Sequence, residues 1–98
     1  MKIGINPNKI KMKYFVYIIY SNSLDKYYIG YTQDLTNRVF RHNDGWSRST
    51  KSGIPWILVY YEEFDTKSEA IKRENFIKKK KSRDYIENLI RDAGGRPE

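Results

Sequence analysis

Residues 14–31, YFVYIIYSNSLDKYYIGY, decide how the rest of the chain is arranged. They hold six of its nine tyrosines. Tyr14 to Tyr20 is an unbroken apolar and aromatic run, so both alternating faces are apolar, as in a strand buried on two sides. Lys26 to Tyr31 is a second, shorter run, joined to the first by a link of hairpin length. Gly30 closes that run as a bulge or a point of close backbone approach. Tyrosine is a good strand former and an amphipathic filler, which explains most of these phenols without any chemistry.

Working outward, Thr32 to Asn43 switches to helical period, with Leu35, Val39 and His42 at i, i+4 and i+7 and Arg38 within that stripe. Asn43, Asp44 and Gly45 close this helix. After the polar loop WSRSTKSGIP, Trp56 to Phe64 reads as a third strand. Thr66 and Glu69 form a capping box that opens a long helix through about Lys80. Ser82 to Ala93 is a third helix, stopped by Gly94 and Gly95. The order β-β-α-β-α-α makes an α+β domain with a small antiparallel or mixed sheet. It occupies residues 13–93, with an N-terminal extension (1–12) expected to be poorly ordered and a tail at 94–98.

Composition narrows the chemistry. At 98 residues and 11.8 kDa the chain builds one core. With no cysteine and one histidine, disulfides, cysteine-zinc sites and multi-histidine metal sites are excluded. Any metal is held by carboxylates and water, which favours magnesium or manganese. No apolar stretch reaches membrane-spanning length, and a cytoplasmic location is the expectation. The formal charge of +7 favours a polyanionic partner, nucleic acid first.

Two residues break the apolar stripes. Arg38 lies on or beside the buried face of the first helix, where its head either snorkels past the core edge or serves a site. Glu74 shares the inward stripe of the second helix with Ala70, Ile71 and Ile77. A carboxylate there needs a metal or an ion-pair partner, such as Arg38 or Arg73. A carboxylate, a guanidinium, an imidazole and two strand phenols are the parts that phosphodiester cleavage requires.

Val16-Tyr17-Ile18, followed eleven residues on from Tyr17 by Tyr28-Ile29-Gly30, resembles the motif pair of the GIY-YIG nuclease family. The second motif is whole. In the first, Phe15 stands in place of the family glycine and Val16 in place of isoleucine, while the tyrosine is kept. The segment YIGYTQDLTNRVFRH is similar to the family's strand-to-helix stretch, with Arg38 on the family arginine and His42 on a histidine found in many members. SEAIKRENFIKK resembles the segment that holds the family's metal-binding glutamate, here Glu74. The likeness runs from about Tyr14 to Ile90 and is strongest to small stand-alone bacterial members.

The resemblance implies a three-stranded antiparallel sheet flanked by helices and one divalent cation, Mg2+ or Mn2+, on Glu74. It further implies in-line attack by water on DNA without a covalent intermediate. Arg38 would stabilise the scissile phosphate, Tyr17 or Tyr28 would help activate water, and His42 would contact phosphate or support the tyrosines. The family's late asparagine has Asn88 as its nearest counterpart, and Asn75 is expected to point away.

Beyond that set, SRSTKS joins hydroxyls with Arg48 and Lys51, a mixture that grips phosphates. Lys78 to Lys81 complements the helix dipole or tracks a nucleic-acid backbone. Trp46 is a candidate for stacking on bases, whereas Trp56 opens an apolar strand and belongs to the core. The expected activity is a metal-dependent endonuclease acting on DNA, including branched or damaged forms met in repair. The alternative is a nucleic-acid-binding module of the same fold with weak or no catalysis, and a protein partner that directs it is compatible with either.

Overall fold

The computed structural model describes residues 12–94. Most of the expected N-terminal extension and the end of the tail therefore lie outside the described residues. Three strands, β1 (Tyr14–Ser21), β2 (Lys26–Thr32) and β3 (Trp56–Phe64), form one antiparallel sheet in the order β2-β1-β3. Three helices, α1 (Leu35–Asn43), α2 (Lys67–Lys80) and α3 (Arg83–Asp92), complete the order β-β-α-β-α-α.

The unbroken run in β1 follows from its place at the centre of the sheet with both faces covered. Val16 and Ile18 join Ile29, Ala70 and Ile77 in one cluster, against which Tyr85, Ile86 and Leu89 of α3 pack. Tyr17 and Ile19 turn the other way and join Trp56, with Leu35 and Val39 of α1 packed on them. The result is three layers: α2 and α3, the sheet, then α1. All four residues Val16 to Ile19 are buried, as a central strand between helical layers requires.

The helix starts are fixed by side-chain caps. The Thr66 hydroxyl accepts from the Glu69 N–H and the Glu69 carboxylate accepts from the Thr66 N–H, which is the expected capping box. Helix α1 opens later than its period suggests. Thr32 still pairs with Phe15 as the last residue of β2, and Asp34 accepts from the Asn37 N–H as the cap. Trp56 is held in the core by its indole, which donates to the Thr50 carbonyl (2.7 Å), and by its backbone N–H, which donates to Asn43 Oδ1 (2.6 Å). The β1–β3 ladder carries an irregularity between Ile18 and Ile19. No helix among the described residues is long and apolar enough to cross a membrane.

Candidate active site

Register sets the first part of the site. Tyr17 on the central strand pairs with Gly30 on β2, and its ring leans across that glycine. A Cβ at position 30 would stand 2.6 Å from the Tyr17 hydroxyl, so Gly30 is a close-approach residue within the strand and not its end. The hydroxyl thereby reaches His42 Nε2 at 2.9 Å. His42 is the buried end of the α1 stripe, and its Nδ1 lies 2.8 Å from the Thr50 hydroxyl. That hydroxyl donates to the Ser47 carbonyl (3.4 Å), so its lone pair receives Nδ1–H and Nε2 accepts the Tyr17 proton.

Electrostatics agree with a neutral relay. Burial, and then the nearby Arg38 guanidinium, hold the His42 pKa below its usual 6.5. Burial, and then the neighbouring Tyr28, push the Tyr17 phenol well above its ordinary range, while Arg38 pulls it back and Glu74 adds to the rise. At neutral pH the resting pair is therefore phenol and imidazole.

The same influences locate the other candidates. Arg38 lies near enough for its charge to lower the Tyr17 pKa against that rise, and it lines the same cavity as His42. Tyr28 sits on the same face of the sheet, with its ring centroid 5.1 Å from His42 and 6.5 Å from Tyr17. It lines a cavity of about 220 Å³ together with Arg38 and His42. Glu74 comes from α2, which packs on β1 and β2 from the opposite face, yet its charge is felt at the Tyr17 hydroxyl. The two faces meet where β2, an edge strand, carries Gly30.

Glu74 is ion-paired, but not with the arginines its stripe suggested. Its carboxylate is mostly buried, at 13% exposure, and meets Lys78 of its own helix at 2.9 Å. Arg73 instead grips Glu62 on β3 through Nε (2.8 Å) and Nη2 (2.9 Å). The Arg73–Glu62 pair depends on which strand passes under α2, which no spacing along the chain encodes, whereas Glu74–Lys78 is an i,i+4 pair within one helix. Among the described residues no group of three or more His, Asp or Glu side chains gathers as a metal cage. A single carboxylate suits a hydrated hard cation that takes its remaining ligands from water and substrate, and does not suit zinc.

The remaining candidates sit around this centre. Arg48 and Lys51 are exposed, the latter opening a short 3-10 turn. Thr50, in the same loop, is not a surface phosphate ligand: it is buried and holds His42. Its role went unread in the sequence because a loop has no period to mark an inward residue. Lys78 and Lys81 line a cleft of about 400 Å³ between β2 and the α2–α3 junction, with Lys26 and Arg83. Asn88 is exposed on α3 and accepts from Arg91 (2.5 Å), while Asn75 is exposed on α2.

With this geometry in place, comparison with known proteins is decisive. The model of the GIY-YIG catalytic domain matches residues 13–88. The chain belongs to the GIY-YIG family. Its GIY-YIG domain is similar to the UPF0213 protein YazA of Bacillus subtilis, 41% identical over 78 residues, or 76% of this chain and 78% of that one. A UPF0213 protein of Staphylococcus epidermidis is 48% identical over 67 residues, covering 67% of this chain and 80% of the relative. The solution NMR structure of the UPF0213 protein of Bacillus halodurans superposes with a TM-score of 0.55 at 33% identity, covering 86% and 88% of the two chains. The GIY-YIG domain implies activity of nuclease type. Phe15, the departure in the first GIY-YIG motif, packs edge-on against Tyr61 with centroids 6.0 Å apart, and the Tyr17–His42 bond forms beside it.

Proposed function

We propose that this protein is a divalent-metal-dependent endonuclease that hydrolyses phosphodiester bonds in DNA, working in the cytoplasm. The observation that carries the proposal is the gathering of Tyr17, Tyr28, Arg38 and His42 on one face of the sheet, with the mostly buried Glu74 on the helix that packs on the other face, within electrostatic range of Tyr17. In this reading Glu74 holds the Mg2+ or Mn2+, displacing the half-exposed Lys78 from its carboxylate. When bound, such an ion polarises phosphoryl oxygens and steadies the departing oxygen.

The chain's own residues supply the rest. Arg38 takes the scissile phosphate and offsets charge that builds on its oxygens. Water attacks phosphorus in line while its proton passes to the Tyr17 oxygen, and the Tyr17 proton moves to His42 Nε2. His42 then carries the charge as imidazolium, with Thr50 fixing its ring. Tyr28, which opens on the cavity, orients the water or a phosphoryl oxygen. Lys78, Lys81, Arg48 and Lys51 hold flanking phosphates by charge.

The test is cleavage of supercoiled plasmid and of branched and damaged DNA with Mg2+ or Mn2+. Glu74→Ala and Arg38→Ala are each expected to lose on the order of a hundred-fold or more in rate. Wild-type levels of cleavage in both variants would refute the proposal. A nucleic-acid-binding module without catalysis is the second reading, favoured by the Lys78 ammonium on Glu74 where a metal would sit. That reading requires salt-dependent DNA binding with no metal-dependent nicking.

A further inference from the structure

Trp46 is a large aromatic side chain that the fold leaves outside the core, 64% exposed in the loop after α1. It is nevertheless held in place. Its indole N–H donates to Asp44 Oδ2 (2.9 Å), its backbone N–H donates to the Arg41 carbonyl (3.1 Å), and the Arg41 guanidinium lies 4.7 Å from the ring centroid. A fixed, solvated indole is unfavourable in isolation, because apolar area stays in water while a long arginine side chain is ordered against it. Its position relative to the candidate site suggests a use. The cavity lined by Tyr28, Arg38 and His42 is completed by Arg41, Trp46 and Ser47. The indole therefore forms one wall of the space next to the groups assigned to the scissile phosphate.

We propose that Trp46 is a stacking platform for one unstacked nucleobase next to the scissile phosphate. This inference rests on the nucleic-acid reading above. Arg41 backs the ring and adds positive charge, so the subsite combines an aromatic face with cations, the pairing that suits single-stranded nucleic acid. A base locked in duplex stacking offers no free face to the indole. The subsite thus selects substrates in which the nucleotide beside the cut is unpaired or flipped out, and it does so without reading sequence, since every base has a π-face.

The test uses binding, with the full chain kept in chelator so that no cleavage occurs. Trp56 is buried with its indole N–H bonded, so the change in tryptophan fluorescence on adding ligand reports on Trp46. The probes are an eight-nucleotide thymidine strand and a strand of equal length made of abasic residues. The thymidine strand is expected to quench Trp46 and to bind Trp46→Ala on the order of ten-fold more weakly, with Trp46→Phe retaining most of the affinity. The abasic strand is expected to bind parent and Trp46→Ala alike, without quenching. Equal affinity of parent and Trp46→Ala for the thymidine strand, or equal quenching by the abasic strand, would overturn the subsite. An absence of cleavage in the separate metal-containing assay would overturn the endonuclease reading while this result stood. Failure of the parent to bind either strand would overturn the nucleic-acid reading itself.

Discussion

Replacing Gly30 with alanine tests the geometry on which the site depends. The added methyl would lie 2.6 Å from the Tyr17 hydroxyl oxygen and 2.8 Å from its Cζ, where an ordinary contact is about 3.5 Å or more. The ring end must move by most of an ångström, yet Tyr17 is buried between β2 and α1 with its hydroxyl on His42. Overpacking of this kind costs about 1–3 kcal/mol. Losing a neutral buried hydrogen bond adds about 1 kcal/mol. Against this, alanine is preferred over glycine in a strand interior by about 0.5–1 kcal/mol, since Gly30 does not use the left-handed region. The net expectation is a destabilisation of about 2 kcal/mol, or a fall in Tm of roughly 8–16 °C for a domain of this size. Denaturant unfolding and calorimetry measure it, and cleavage should fall with it because the Tyr17–His42 bond is broken. In a double-mutant cycle, Tyr17→Phe removes the atom at 2.6 Å and should recover part of the loss. A Gly30→Ala variant as stable and as active as its parent would refute the close approach and the relay built on it.

Two further expectations concern titration. His42 accepts the Tyr17 proton only when neutral, so kcat/KM should fall at acid pH with a midpoint below 6.5, the direction set by burial and Arg38; an acid limb centred above 6.5 would contradict the relay. Arg73→Ala should cost about 2 kcal/mol in denaturant unfolding, because it removes two charge-assisted bonds from the partly buried Glu62. Burial alone would raise the Glu62 pKa, but Arg73 and Tyr60 hold it below its unfolded value of 4.5. The parent therefore gains stability from Glu62 above 4.5 and loses it as pH falls through the lower folded value. Without Arg73 that loss should shrink, and an unchanged acid profile would argue against the pair.

What could be read along the chain, and what could not, divides by the range of the interaction. The two-faced run at Tyr14–Tyr20, the Thr66–Glu69 box and the stripe Leu35–Val39–His42 express contacts within one element, where period and capping chemistry suffice. The start of α1 is not marked by period, because Thr32–Asp34 carries both a strand end and a helix cap in three polar residues. Pairings between elements are different. Glu62 with Arg73, and Thr50 with His42, each join positions whose only relation is the register of β3 or the path of a loop. Tyr17, Tyr28, Arg38 and Glu74 are named together by a motif that records their order, and neither spacing nor period says where they lie relative to one another.

The meeting point explains why the motif takes the form it does. A central strand sends Tyr17 toward α1 and its neighbours Val16 and Ile18 toward α2, so the sheet separates the phenols from the glutamate. The separation can be bridged only at an edge, where no further strand intervenes, and β2 is the edge strand next to Tyr17. A side chain there would fill the gap, whereas Gly30 leaves it open and lets the Tyr17 hydroxyl extend toward His42. An exposed edge is ordinarily a liability for strand addition. Here Lys26, Lys78, Lys81 and Arg83 line the cleft beside β2 with one carboxylate, Asp25; Arg83 is paired with Asp25 and Lys78 with Glu74, which leaves a positive balance that disfavours another basic chain and favours a polyanion. Under the proposed function the glycine, the edge and the lysines serve one arrangement, in which a phosphodiester is approached from both faces of the sheet at once.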